Sequence, residues 1–256
     1  MRPAALSLVL AALPLLAGRP LPYKEGSTAL AGYLALPEGA KHAKKPVPGV
    51  VVIHQWMGLT DHERKVADDL AKLGYAALAA DIFGEGVRPK NTQEAGAQAG
   101  KFKGDRALYR ARIQAALDTL KSQPDVDASK LAVIGFCFGG TGALEAARAG
   151  LPVKGVVSFH GGLDVPEGYA PKPIAAKVLV CHGAVDPYVP AKDVAAFHEE
   201  MKAAKADYVF IAYAGAVHAF TQKEAGNDPA KGAAYQEAAA TRSWRHMRDF
   251  FGEIFK

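Results

Sequence analysis

Apolar residues recur along this chain in two rhythms. Short runs are apolar almost throughout: Val50-Val51-Val52-Ile53, Tyr75–Ala80, Leu131–Gly135, Val153–Phe159, Val178–Val180 and Tyr208–Tyr213. The β-branched ones suit strands buried on both faces of a parallel sheet. Thr28–Leu36 alternates and also reads as a strand. Between these runs, apolar residues fall at helical spacing. Asp61–Leu73 aligns Val66, Leu70 and Leu73 and stops at Gly74. Ala107–Leu120 aligns Ile113, Leu117 and Leu120, and Gly140–Ala149 is alanine-rich and closed by Gly150. Pro190 opens a helix to about Lys202, and a long helix is expected from Ala230 to Phe255. Gly84, Gly86 and Pro89 mark a loop.

Strands alternating with helices predict an α/β fold, a mostly parallel central sheet with helices on both faces. Right-handed crossovers follow, and ligands bind beyond the carboxyl ends of the strands. The useful question is which reactive side chains sit just past those ends.

Composition narrows the choice. A chain of 256 residues accommodates one large α/β domain. Its formal net charge is +5, with basic residues dispersed apart from Lys41, Lys44 and Lys45. A nucleic-acid surface clusters its Lys and Arg on one face, so none is expected. Two cysteines exclude a disulfide scaffold and a Cys₄ zinc site. His62-Glu63-Arg64-Lys65-Val66 stops short of H-E-x-x-H, so no metal is expected. At the N-terminus, Arg2 precedes an uncharged run from Pro3 to Ala17, followed by Gly18. This is the layout of a secretory signal peptide, too short for a membrane span. The expected organisation is a signal over residues 1–18 and a single domain over 19–256, exported to the periplasm or secreted.

The strongest chemical signal is Gly135-Phe136-Cys137-Phe138-Gly139-Gly140, between a strand and a helix. It has the form of the G-x-S-x-G nucleophile elbow, with cysteine in place of serine. A strand reversing this sharply into a helix strains the nucleophile and needs flanking glycines. The helix start brings N–H groups to the sulfur and lowers its pKa. Such a nucleophile needs a base and a group to orient it, in the chain order nucleophile, acid, histidine. Asp186 follows the strand Val178–Val180 in a Gly/Pro turn, and His218 follows Tyr208–Tyr213 in a glycine-containing loop. The three lie 49 and 32 residues apart, each gap about one strand–helix unit. His54, His160 and His182 also sit at strand ends and read as pocket walls or hydrogen-bonding supports. Cys181 reads as packing, with little weight for a disulfide to Cys137.

These segments resemble the dienelactone hydrolase family, a cysteine branch of the α/β-hydrolase fold. The resemblance is carried by the elbow, by Val157-Ser158-Phe159-His160-Gly161, by His182-Gly183-Ala184-Val185-Asp186-Pro187-Tyr188-Val189-Pro190 and by Gly215-Ala216-Val217-His218-Ala219-Phe220. It extends from about Tyr23 to the C-terminus. It implies Cys137 as nucleophile, His218 as base and Asp186 as its orienter, with backbone N–H groups of Trp56 and Phe138 as the oxyanion hole. The implied substrate is a small ester or lactone, cleaved without a cofactor by a chain expected to be a monomer. Gln55, His160, Tyr188 and Phe220 are the candidates for the substrate pocket. Two positions depart from the family. Gln55 stands where many members carry a glutamate that takes the thiol proton, and Gln222 stands where members that cleave dienelactones carry an arginine for the substrate carboxylate. The alternative expectation is a ligand-binding relative with impaired turnover.

Overall fold

A computed structural model describes residues 18–40, 45–165 and 168–256. Of the segment read as a signal, residues 1–18, all but Gly18 lies outside the described residues. Eight strands form one sheet: β1 (Arg19–Glu25), β2 (Thr28–Ala35), β3 (Val47–Ile53), β4 (Ala76–Ala80), β5 (Val126–Phe136), β6 (Gly155–Phe159), β7 (Lys177–Gly183) and β8 (Tyr208–Tyr213). Their spatial order is β1-β2-β4-β3-β5-β6-β7-β8. The pairs β1–β2 and β2–β4 are antiparallel, and every other pair is parallel. The expected class is therefore observed, with an antiparallel hairpin added at one edge.

The two faces are covered unequally. Helices α1 (Asp61–Lys72) and α6 (Glu237–Ile254) bury Val66, Leu70, Met247 and Phe251 against one face. On the other lie α2 (Thr92–Gly104), α3 (Arg106–Lys121), α4 (Phe138–Arg148) and α5 (Ala191–Ala203), with Phe102, Tyr109, Leu144 and Phe197 in the core. Strands β3, β4 and β6 are buried at nearly every position because both of their faces are covered.

Three expectations need correction. β1 was not foreseen, because Pro20 and Pro22 interrupt it; an edge strand tolerates prolines that a central one would not. α2 was hidden by Gly96, Gly100 and Gly104, which weaken a helix. It forms because Asn91 caps it, accepting from the Glu94 N–H, and because Ala95, Ala99 and Phe102 bury one stripe. The last helix begins at Glu237, not Ala230. A 3₁₀ turn at Pro229–Lys231 ends on Gly232 at φ +80°, and the chain then pairs with the loop of His218.

A buried ionic network ties the second face together. Glu145 of α4 is inaccessible and meets Arg106 and Arg110 of α3 and Arg148 of its own helix. Arg148 also binds Glu200 of α5 at 2.8 Å, and Arg106 binds Asp164, after β6, at 2.6 Å. The three arginines balance the three carboxylates. Removing the deepest cation strands buried Glu200 and takes one of three arginines from Glu145, so Arg148→Ala is expected to cost about 3–5 kcal/mol in urea unfolding. Arg110→Ala, whose side chain is 29% exposed, is expected to cost much less.

Candidate active site

β5 ends at Phe136, and α4 begins one residue after Cys137. The reversal forces Cys137 to φ 56°, ψ −115°, a conformation that a side-chain-bearing residue adopts only under constraint. The glycines make it possible. A side chain at Gly135 would strike the Gly139 carbonyl, and one at Gly139 would strike the carbonyl of Ile53 in β3. The bend is pinned from β6: the Cys137 N–H reaches the Phe159 carbonyl at 3.0 Å and His160 Nδ1 at 3.2 Å.

Beyond β7, Asp186 lies in a turn closed by its N–H on the Gly183 carbonyl. One carboxylate oxygen accepts from the Tyr188 N–H at 2.9 Å, and the other accepts from His218 Nδ1 at 2.8 Å. The His218 loop after β8 is braced by the segment that leaves the 3₁₀ turn. The His218 N–H donates to the Gly232 carbonyl and the His218 carbonyl accepts from the Ala234 N–H. With Nδ1 committed to Asp186, Nε2 is the ring nitrogen left for the thiol of Cys137, and His218 and Cys137 each shift the ionisation of the other. The structure therefore brings the three residues singled out by the sequence to one rim of the sheet.

Electrostatics favour charge separation between sulfur and imidazole. Burial disfavours the thiolate, but the hydrogen bond and charge of His218, the Phe138 N–H and the charge of Lys103 together outweigh it. The thiol pKa is lowered. Burial likewise disfavours the imidazolium, yet Asp186 and Cys137 raise the pKa of His218 to about 10.

The loop after β3 is held on both sides of Gln55. Its N–H donates to the Glu63 carboxylate at 3.3 Å. Its carbonyl accepts from His54 Nδ1 at 2.6 Å and from the Gly58 N–H at 3.1 Å. The next amide, Trp56 N–H, has no partner among the described residues. Glu63 is wholly buried and also accepts from the N–H and hydroxyl of Thr60, closing a capping box on α1. The motif Thr60-x-x-Glu63 is readable in the sequence, but its carboxylate was not assigned to the site.

Both nitrogens of His54 are engaged, since Nε2 accepts from the Ile82 N–H. Burial lowers its pKa, so it is a neutral support. His160 is also inaccessible: Nδ1 accepts from Cys137, and Nε2 donates to Thr221 Oγ1 at 2.8 Å. Burial and the charge of His218 hold its pKa well below the usual value. Phe220 is fully buried against His160 and Tyr213, whereas Tyr188 is 62% exposed and lies edge-on to His218 at 5.3 Å. Gln55 is half-buried in the loop, and Gln222 is buried with its Nε2 unpartnered among the described residues. His182 is buried near the end of β7, where desolvation lowers its pKa. Both cysteines are free, and burial pushes the Cys181 thiol up to about 12. Among the described residues no cluster of three or more His, Cys, Asp or Glu could hold a metal, and no helix is long and apolar enough to cross a membrane.

Comparison with known proteins identifies the family. A promiscuous phosphotriesterase, P91, from metagenomic libraries, itself described as dienelactone hydrolase-like, superposes with a TM-score of 0.86. Identity to it is 42%, over 93% of this chain and 98% of that one. A Bradyrhizobium protein named a probable 2-oxo-3-(5-oxofuran-2-ylidene)propanoate lactonase is 31% identical, over 78% of this chain and 81% of its own. An uncharacterised Caenorhabditis elegans protein, K02A2.1, is 40% identical over 56% of this chain and 92% of its own. Residues 30–255 match the dienelactone hydrolase family as a whole, and the chain is a hydrolase that belongs to that family.

Proposed function

We propose that this chain hydrolyses small carboxylic esters or lactones through a thioacyl intermediate on Cys137. The reading rests on one observation: a thiol at a strained bend shares one rim of the sheet with an imidazole that a buried carboxylate orients, and each lies close enough to shift the other's ionisation. The Cys137 thiolate attacks the carbonyl carbon, and the carbonyl oxygen takes the negative charge between the N–H groups of Trp56 and Phe138. Collapse breaks the bond to the leaving alkoxide, which takes the proton from His218 Nε2. In a lactone that alkoxide stays tethered to the acyl group. His218 then removes a proton from water, the hydroxide attacks the thioester, and the carboxylic acid leaves as the thiolate re-forms.

Gln55 bears on the resting state. A carboxylate beside the thiol would oppose its ionisation. A neutral amide does not, and the charges acting on the sulfur, those of His218 and Lys103, are both positive. The resting state is therefore a thiolate–imidazolium pair. Attack on phosphorus would use the same nucleophile and amides, and the 42%-identical neighbour is named as a phosphotriesterase. Slow cleavage of an aryl dialkyl phosphate is the second reading. Export from the cytoplasm, proposed from Arg2 and the uncharged run after it, is checked by N-terminal sequencing of the mature protein.

Wild-type protein is expected to hydrolyse p-nitrophenyl acetate, and Cys137→Ala to lose at least about 10³-fold in kcat/KM. Wild-type rates equal to those of the variant would favour a binding protein instead. Acyl-enzyme trapped by acid quench is expected to add the acetyl mass to the peptide carrying Cys137.

Alkylation by iodoacetamide tests the ion pair. Its midpoint is expected below the free-thiol pKa of about 8.5 and should move up in His218→Ala. A midpoint at or above that value, unmoved by the substitution, contradicts the pair.

Glu63 is read as a positioning residue for the Trp56 amide. Glu63→Ala is expected to lower kcat by about 10–100-fold with a smaller change in KM. Glu63→Gln keeps an oxygen acceptor for Gln55 and should recover part of the loss. Equal kcat in wild type and Glu63→Ala would remove the role.

A further inference from the structure

A second cavity, of about 430 Å³, lies on the face of the sheet covered by α1 and α6. Its size falls within the range of small-molecule sites, roughly 300–1,000 Å³. Aromatic rings dominate it: Phe136 and Phe159, stacked at 4.8 Å and 9°, together with Tyr235 and Trp244. Flat rings bind flat rings by offset stacking and edge contacts. The four charged residues lining it, Lys65, Asp69, Lys223 and Glu224, sum to zero. Lys65 is already paired with Asp69 at 2.6 Å. That balance favours a neutral ligand over an anion or a cation.

Two polar groups give the cavity a directional demand. His62, in the first turn of α1, sets its ring edge-on to Phe136 at 5.2 Å. Its Nε2 is buried and lacks a hydrogen-bond partner among the described residues. A buried nitrogen without a partner is unfavourable, and a ligand hydroxyl satisfies either tautomer because it both donates and accepts. Thr221 also lines the cavity. Its oxygen accepts from His160 Nε2, which leaves the hydroxyl proton free to donate.

We propose that this cavity binds a neutral hydroxyarene of one or two fused rings, at a site not lined by Cys137, Asp186 or His218. The ligand's ring lies against Phe136 and Trp244, and its hydroxyl partners His62. The site is also joined to the thiol's support. An occupant touching Thr221 is one hydrogen bond from His160, and His160 accepts from the N–H of Cys137. Phe136, on its floor, directly precedes Cys137. Binding here therefore reaches the backbone of Cys137 without touching its side chain.

The test is a calorimetric titration of the full chain with 2-naphthol. It reads binding and not turnover, so it stands or falls separately from the role given to Cys137. One equivalent is expected to bind with a Kd on the order of 0.1 mM. His62→Phe keeps the ring and removes the nitrogen, and should weaken binding about 10-fold. Ala240→Trp places an indole in the cavity from α6 and should abolish binding with the circular dichroism unchanged. Carboxamidomethylation of Cys137, confirmed by mass, should leave binding intact. The proposal is overturned if folded wild type shows no saturable binding, if His62→Phe binds as tightly as wild type, or if alkylation of Cys137 removes the binding.

Discussion

The hydrogen bond from His218 Nδ1 to Asp186 decides what the rest of this site can do. At 2.8 Å it fixes which imidazole nitrogen faces the sulfur. It also stabilises positive charge on a ring that burial would otherwise keep neutral. Asp186 is itself held, since its second oxygen is occupied by the Tyr188 N–H. A carboxylate free to rotate would leave His218 with no preferred tautomer. The loop that delivers the histidine is secured independently, through its backbone bonds to Gly232 and Ala234. Orientation and charge are thus supplied by two separate devices.

The sulfur is fixed by different means. Its backbone is strained, and such strain persists only where the surroundings over-determine it. They do so here from three directions. Gly135 and Gly139 let β5, α4 and β3 approach to backbone contact. Phe159 and His160 hold the Cys137 N–H from β6. Tyr109 of α3 stacks on Phe138 at 4.6 Å and donates its hydroxyl to the Phe138 carbonyl at 2.8 Å. The Glu145–Arg148–Glu200 network then locks α4 against α3 and α5, so the helix whose start faces the sulfur cannot shift without breaking buried ion pairs.

Much of this was legible in the chain because it depends on local pattern. Apolar runs located the central strands, and the Gly-x-Cys-x-Gly spacing reported a turn that few other residues could make. The gap from Asp186 to His218 holds one helix and one strand, α5 and β8, as its length suggests, whereas the longer gap from Cys137 to Asp186 holds α4 and two strands, β6 and β7; the loops still meet at one rim of the parallel sheet. What escaped depends on distant partners. β1 is a strand only because β2 lies beside it, and its prolines argue otherwise when read alone. The stretch after Ala230 has helical composition, yet Ala233 and Ala234 pair with His218 instead. Local propensity loses there to a tertiary contact that the site requires. Glu63 sits between these cases: its capping-box spacing is visible, but its bond to Gln55 appears only once α1 is placed behind the loop.

Glu63 and Gln55 together suggest how the environment of the thiol is divided. The sulfur is flanked by positive influences, His218 and Lys103, and by the Phe138 N–H, all of which favour the thiolate. Residue 55 carries no charge, while the buried carboxylate nearby, Glu63, is engaged by Thr60 and by the Gln55 backbone. A carboxylate spent on fixing a loop shapes the position of an amide; one left facing the thiol would compete with it for the imidazolium. With glutamine at position 55, the loop retains its geometry and the competition is absent. What bears on the sulfur is then the histidine, the lysine and the Phe138 N–H, all acting in the same sense. A sulfur biased toward the thiolate in this way is also more open to oxidation.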